Sequence, residues 1–307
     1  MSRVAIITRT LNRPELLERM LRSLLDQDFD DWHVVIVDSG DAPVVELVLA
    51  RFESELRGRC THLPFINPRP GMRGVAINAG IKASDSEFIT LLDDDDTWAP
   101  SFLRTMVAAF ATRPHPNVRG AVCRTKVLEE SSVQTGTKPL REYELNPDLC
   151  NITIASMAVV NRFCVHAFLY ERSALELAGL YPEDYPVLED WHFNLRFLLH
   201  YDIMVVPKTL TNYHIRPSEV TGSEANSQTA ERTDHKYHES RLINDAVRQD
   251  LKEGRIGLGF ILSQAVQSRQ LIDALHKHES RLKAIGEKTG KIDTRTKELK
   301  DKLVSKR

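Results

Sequence analysis

The chain has 307 residues, 42% hydrophobic and 27% charged, enough to bury a full core in one large domain or two smaller ones. The formal net charge is -2, with Lys and Arg gathered between Arg269 and Arg307, so the rest of the chain carries no basic footprint and nucleic acid is excluded as the default partner. Cys60, Cys123, Cys150 and Cys164 lie far apart with no CxxC pair, which argues against a zinc knuckle or a disulfide framework and suits a reducing cytoplasm.

The opening residues MSRVAIITRT hold too short an apolar run for a secretion signal. No later stretch approaches the ~20 apolar residues of a spanning helix, so membrane contact is expected only peripherally, at the inner face. The first predicted strand is the apolar run Val4-Ala5-Ile6-Ile7, followed by a polar turn and a helix from Pro14 to Leu25 with Leu17, Leu21, Leu24 and Leu25 at helical spacing. Val34-Val35-Ile36-Val37 repeats the strand pattern and runs into Asp38-Ser39-Gly40-Asp41, with a second helix over Val44–Leu56. A third unit places a helix from Gly71 to Lys82, then the strand Phe88-Ile89-Thr90-Leu91-Leu92, then four consecutive acids, Asp93 to Asp96. This alternation predicts an α/β fold with a mainly parallel sheet flanked by helices. Such sheets bind ligands beyond the carboxyl ends of their strands, so Asp38 and the acidic run are expected to converge on one crevice.

From Pro114 to Ser156 the periodicity fades among Pro139, Pro147 and polar clusters, which predicts loops and irregular strands over one side of the cleft, a place for acceptor recognition. Regular signals resume with a strand over Ala167–Tyr170, a helix after Glu189-Asp190-Trp191, and strands over Ile203–Val206 and Thr209–His214. Residues 1–222 therefore read as one α/β domain, with a polar linker over Gly222–Thr233 and a helical extension over 223–307. Leu271, Leu275, His278, Leu282, Ile285, Thr289, Ile292, Thr296, Leu299 and Leu303 follow alternating four- and three-residue steps. That heptad seam predicts a coiled coil over 271–303, a face for a second copy or a protein partner. The flanking Lys297, Lys300, Lys302, Lys306 and Arg307 offer contact with an anionic membrane.

The strongest chemical signal is Leu91-Leu92-Asp93-Asp94-Asp95-Asp96-Thr97-Trp98-Ala99-Pro100. Four clustered like charges at a strand end are costly without a cation. Carboxylate oxygens suit hard ions such as Mg²⁺ or Mn²⁺, which bridge substrate phosphates through one or two protein ligands. A solvated acidic turn is the plain alternative; the apolar strand before it and a helix start at Trp-Ala-Pro after it favour the metal.

In order along the chain, these motifs resemble glycosyltransferase family 2, enzymes of the GT-A fold, over residues 3 to 221. Ile6-Ile7-Thr8-Arg9-Thr10-Leu11-Asn12-Arg13-Pro14 resembles the family's opening strand and loop, and Val37-Asp38-Ser39-Gly40-Asp41 its second strand end. Both line the nucleotide pocket in the family, which makes Thr8, Arg9, Arg13 and Asp38 donor-binding candidates, with Asp38 at the base. Asn78-Ala79-Gly80 resembles the helix signature before the metal strand, and Asp93-Asp94-Asp95 the DxD motif. The resemblance implies Asp93 and Asp95 at the metal, and Asn78, Asp93 and Asp94 on the donor. Leu188-Glu189-Asp190-Trp191 resembles the family's Glu-Asp motif, which makes Asp190 the candidate base and Glu189 its neighbour. A base is needed because the acceptor hydroxyl must lose a proton as it attacks. The plain alternative is a helix start whose two acids complement the dipole.

Two positions depart from the family pattern. Ile77 stands where the family often has Arg, leaving Arg73 one turn earlier as a candidate for the diphosphate. Tyr213-His214-Ile215-Arg216 resembles a Tyr-Arg-x-His segment with Arg and His exchanged, so His214 and Arg216 remain candidates for the same charge. His166 is a candidate for the cleft wall, and Trp98 and Trp191, beside the acidic motifs, are candidates to stack on acceptor sugar faces, with core packing the ordinary alternative for all three. The resemblance implies inverting transfer of a sugar from a nucleoside-diphosphate sugar to a saccharide or lipid-linked hydroxyl acceptor, in bacterial-type surface polysaccharide or glycan synthesis. Two competing readings are a non-catalytic scaffold of the same fold and a sugar-phosphate nucleotidyltransferase. The latter needs a Gly-rich basic N-terminal loop, and Thr8–Pro14 has no glycine.

Overall fold

The computed structural model describes residues 2–131, 139–217 and 232–304; the expected domain end at Gly222 lies outside the described residues. Its strands are β1 (Val4–Thr10), β2 (Trp32–Asp38), β3 (Cys60–Pro64), β4 (Phe88–Leu91), β5 (Thr97–Trp98), β6 (Val118–Glu129), β7 (Arg141–Glu144), β8 (Phe168–Glu171) and β9 (Asp202–Ile215). Its α-helices are α1 (Pro14–Leu25), α2 (Ala42–Ala50), α3 (Glu53–Leu56), α4 (Arg73–Lys82), α5 (Phe102–Ala109), α6 (Ile154–Val159), α7 (Leu175–Ala178), α8 (Glu189–Leu198), α9 (Arg232–Lys252) and α10 (Leu258–Val304). The chain divides into two compact units, Met1–Ser240 and Arg241–Arg307.

The strands form one sheet in the order β3-β2-β1-β4-β8-β6-β9-β5, with β7 paired to β6. The half from β3 to β4 is parallel throughout. Its strands read as unbroken apolar runs because both faces are covered, and Val4, Ile6, Val34 and Ile36 are fully buried. Pro14 opens α1 at its first turn, where the missing N–H costs nothing. Leu16, Leu17, Met20, Leu21 and Leu24 then fall on the buried face, each worth ~1.5–3 kcal/mol of burial. α4 lies so close to β1 and β2 that a Cβ at Gly80 would come 2.5 Å from Ile7 Cγ2 and 2.9 Å from Val37 Cγ2.

Beyond β4 the sheet changes direction: β8 runs antiparallel to β4 and β6, while β6 and β9 are parallel. Several expectations are corrected here. The stretch after Pro114 holds the 12-residue strand β6, whose Arg119, Arg124 and Lys126 interrupt the apolar run and mask it. The helix expected over Val44–Leu56 is broken into α2 and α3 by Phe52, which turns into the core at 5% exposure. Trp98 does not start a helix; with Thr97 it pairs with β9, and α5 begins at Phe102. The two strands expected over Ile203–His214 are one, with irregular register opposite Cys123–Thr125. β3 carried no separate prediction; its half-exposed residues lack the apolar run of its neighbours.

α8 is anchored to β8 by aromatic packing. Phe197 meets Phe168 edge-on at 5.3 Å between ring centroids, and Phe193 stacks on Tyr181 at 4.0 Å. Gly120 on β6 makes room, since a Cβ there would sit 2.6 Å from Phe168. This packing sets the start of α8 beside the carboxyl ends of the parallel strands.

Candidate functional site

Register explains why the acidic turn meets the first loop. Thr10 pairs with Asp38 and Ile7 with Leu91, so β1 extends three residues past the end of β4 and lies against the turn that follows. Thr10 Oγ1 donates to Asp94 Oδ2 at 2.8 Å, and Arg13 reaches Asp94 Oδ1 at 3.0 Å and Asp95 Oδ2 at 3.7 Å. Arg9 donates to Asp93 Oδ1 at 2.7 Å and to Glu189 Oε1 at 3.2 Å. That one guanidinium ties the acidic turn to the first residue of α8. Thr8 is fully buried beside it, with no hydrogen-bond partner for its hydroxyl among the described residues.

Each acid in the turn has its own cation. Asp95 Oδ2 accepts from Arg216 at 2.8 Å, and Asp96 Oδ2 sits 2.8 Å from His166 Nδ1. Burial and the neighbouring Asp95 push the Asp94 carboxyl up to about 7. Burial and Asp96 raise Asp95 as well. Asp93 moves the other way: desolvation opposes its charge, but Arg9 overrides it and holds the carboxyl below the usual range. His166 follows the same logic, with burial outweighed by Asp96 so that its proton is held more tightly.

The Glu-Asp pair is set by strain and by hydrogen bonds. Leu188, just before α8, has φ +65°, a left-handed conformation that a bulky side chain adopts only when its surroundings force it. Asp190 Oδ1 accepts from the N–H of Trp191 at 2.7 Å, and Oδ2 accepts from Asn161 Nδ2 at 2.8 Å. Asn194 Nδ2 in turn holds Asn161 Oδ1 at 3.2 Å. Burial raises the Asp190 carboxyl above the usual range despite those two donors. Glu189 is raised by burial too, against the pull of Arg9 and then Arg73. The charge of Arg73 thus acts on both Glu189 and Asp93.

Asp38 is 1% exposed, with Oδ1 accepting from the N–H of Gly40 at 2.9 Å and Oδ2 3.0 Å from His62 Nε2. Asn12, with φ 54°, accepts from the N–H of Asp41 at 2.7 Å and ties the first loop to the second. Other expected residues sit deeper than a ligand contact requires. Asn78 spends its amide on the backbone of Tyr181 and on Glu183 Oε1, so the Asn-Ala-Gly signature is accounted for by packing. Trp98 is 3% exposed, stacks on Phe102 and donates to the carbonyl of His166; Trp191 is 4% exposed and donates to the carbonyl of Met157. Neither indole is open to stack on a sugar, which corrects that expectation. His166, 1% exposed, lies beneath the acidic turn, not on an open wall. His214 binds Thr97 and Glu130, while Arg216 meets Asp95. Arg19, His62, Glu130 and Asn161 carried no motif; single charged or polar residues, in a helix, a strand or a loop, look like solvated faces until the fold buries them.

Among the described residues no group of three or more His, Cys, Asp or Glu is arranged to hold an ion unaided. The donor set still fits an ion shared with a diphosphate, because Mg²⁺ and Mn²⁺ ordinarily take one or two carboxylates plus substrate phosphates. Burial, and then the neighbouring acids, raise Asp94 and Asp95 despite their arginine partners, a cost that a divalent ion would relieve.

The profile described as glycosyl transferase family 2 matches residues 5–175, more than half of the chain. The chain belongs to glycosyl transferase family 2. An uncharacterized glycosyltransferase of Nostoc is 25% identical over 177 residues, 57% of this chain and 52% of the relative. The GalNAc(5)-diNAcBac-PP-undecaprenol beta-1,3-glucosyltransferase of Campylobacter jejuni is 29% identical over 35% of this chain and 34% of its own. The chain thus spans about half or less of the length of these two relatives. The mannosyltransferase PcManGT of Pyrobaculum calidifontis, solved with GDP-Man and Mn²⁺, matches with a TM-score of 0.58 at 18% identity, over 80% of this chain and 64% of that one. The fold is therefore that of the GT-A glycosyltransferases.

Proposed function

We propose that the protein is a metal-dependent, inverting glycosyltransferase that moves a sugar from a nucleoside-diphosphate donor to a hydroxyl of a saccharide or lipid-linked acceptor, in bacterial surface glycan synthesis. The observation that carries this reading is Arg9, bonded at once to Asp93 and Glu189. On this reading the diphosphate end at Asp93 and the base Asp190, next to Glu189, share one cleft. Asp38 receives the nucleobase beside the loop that Asn12 pins, and Arg13 and Arg73 face the diphosphate. Asp95 and Asp93 would hold Mn²⁺ or Mg²⁺, and the bound ion supplies neutralisation of the charge that builds on the departing diphosphate. Asp190, oriented by Asn161, takes the proton of the acceptor hydroxyl as its oxygen bonds to the anomeric carbon and the bond to the diphosphate breaks on the opposite face. Burial keeps the Asp190 carboxylate more basic than an exposed one, which suits a general base.

The named substrates of relatives support the finer parts: a polyprenyl-linked acceptor in the Campylobacter enzyme, GDP-Man with Mn²⁺ in the Pyrobaculum structure. No helix among the described residues is long and apolar enough to cross a membrane. On this reading the protein works in the cytoplasm and meets a lipid-linked acceptor at the membrane surface. α10 is read as a self-association helix. The test is a thermal-shift screen of UDP- and GDP-sugars with and without Mn²⁺, since a ligand that binds the folded state raises its apparent stability. A Mn²⁺-dependent shift is expected in the wild type and absent in Asp95→Asn. The same shift in that variant would reassign the metal end.

A further inference from the structure

Behind the acidic turn lies a second charged cluster that donor binding and proton transfer leave unused. Arg19 of α1 donates from one terminal nitrogen to Glu130 Oε2 at 2.8 Å and from the other to the backbone carbonyl of Asp95 at 2.8 Å. Glu130, just past β6, accepts on its other oxygen from His214 Nδ1 at 2.7 Å, and its N–H donates to the carbonyl of Ile215 at 2.8 Å. The other ring nitrogen of His214 lies 2.8 Å from Thr97 Oγ1, and the backbone N–H of His214 donates to Asp96 Oδ1 at 3.0 Å. All three side chains are nearly out of solvent, at 12%, 9% and 6% exposure.

The partners of this cluster lie on either side of a single contact. Arg19 holds the backbone of Asp95, while Glu130 and His214 hold the strand end that carries Arg216 two residues later. Between them Arg216 donates to Asp95 Oδ2. We propose that Arg19, Glu130 and His214 are positioning residues that set the Arg216–Asp95 pair, and through it the place of the donor diphosphate. A buried charged cluster is weak evidence for stability, since well-packed apolar residues often do as well. What it provides here is register between α1, β6 and β9 at the one end of the sheet where a carboxylate must face a phosphate. Arg19 in particular needs its planar fork, because two acceptors on different elements are held by one group. The proposal rests on the donor-site reading above.

The experiment measures UDP and GDP binding with Mn²⁺ by calorimetry, alongside UMP and GMP, in wild type, Asp95→Asn, Glu130→Gln and Arg19→Lys, with a melting temperature for each. Glu130→Gln keeps the shape and removes the charge; it is expected to weaken the better-bound diphosphate about tenfold, the scale of one charge-assisted hydrogen bond. The matching monophosphate is expected to change less than about twofold, because its contacts end short of the pair. A merely structural role would lower both alike or only the melting temperature. Arg19→Lys is expected to behave the same way and stands in if Glu130→Gln does not fold. Wild-type diphosphate affinity in a folded variant of either kind, with Asp95→Asn inactive in binding, overturns the positioning role alone. Unchanged binding in Asp95→Asn overturns the donor-site reading instead.

Discussion

The two halves of the sheet differ in how they carry function. The parallel half, β3 to β4, presents its loops in a row, and the donor candidates Arg9, Arg13, Asp38 and Asp93 to Asp95 come from consecutive strand ends. The half from β8 to β5 mixes directions and presents its candidate groups indirectly: Asp190 lies in the first turn of a helix that aromatic rings press against β8, and Asn161 on a loop bonds to it. The first half builds a site by repetition, the second by side-chain contacts between distant segments. Arg9 bonds across them to Glu189, while Arg216 and His166 reach back from the second half to Asp95 and Asp96.

That comparison is sharpened most by Asp190→Asn. If the second half supplies the base and the first half the donor contacts, transfer to a true acceptor falls by ~10²–10⁴, while calorimetry shows unchanged affinity for UDP or GDP with Mn²⁺. Wild-type turnover in this variant would move the base elsewhere. Arg9→Met probes the tie itself. Removing one partner of a fully buried ion pair costs ~3–5 kcal/mol, but Asp93 keeps 26% exposure, so a loss of about 2 kcal/mol in denaturant unfolding is expected. Both diphosphate affinity and transfer should fall, since Asp93 and Glu189 lose the same partner. A loss confined to one of them would mean that the halves act independently.

The contrast also explains what the sequence made legible. Helix α1 was readable from Pro14 to Leu25 because a proline start and leucines at helical spacing agree with its packing, and the strands beside it are apolar on both faces. β6 was not, because a strand with parallel β9 on one side and antiparallel β8 and β7 on the other carries polar residues at its half-buried positions, and prolines nearby imitate a loop. Arg9 and Arg13 of the first loop came together with the acidic turn past β4. Trp98 and Trp191 did not, because an aromatic beside a charged motif packs inward as readily as outward, and nothing in the sequence reports which. Arg19 and Glu130 lie 111 residues apart, and no local pattern records their pairing.

Asn161→Ala gives a smaller and more specific effect. Burial holds the Asp190 carboxyl high, and the Asn161 donor partly offsets this by stabilising the charged form. A base must be deprotonated to act, so activity should rise with pH through the raised value. Without Asn161 the charged form loses support, and the acid limb of the transfer profile should move to higher pH. An unmoved limb with reduced maximal rate would mean that Asn161 orients Asp190 without tuning it.

The least effect on chemistry is expected from the helical extension. Leu271, Leu275, Leu282 and Ile285 are 59–69% exposed on α10, and burying each is worth ~1.5–3 kcal/mol, which outweighs the ~1 kcal/mol that Gly286 and Gly290 each cost the helix. Seam positions from Ile292 onward lie in the same helix, but their side chains are outside the described residues. A second copy is the partner a heptad seam suits by itself. Light scattering of the full chain should therefore give a dimer, and truncation after Ser268 a monomer that binds diphosphate as tightly as the full chain. Monomers in both cases would sink self-association. Binding of the full chain alone to anionic vesicles would then assign the extension to the membrane, because its Lys and Arg flanks act only on a surface of opposite charge.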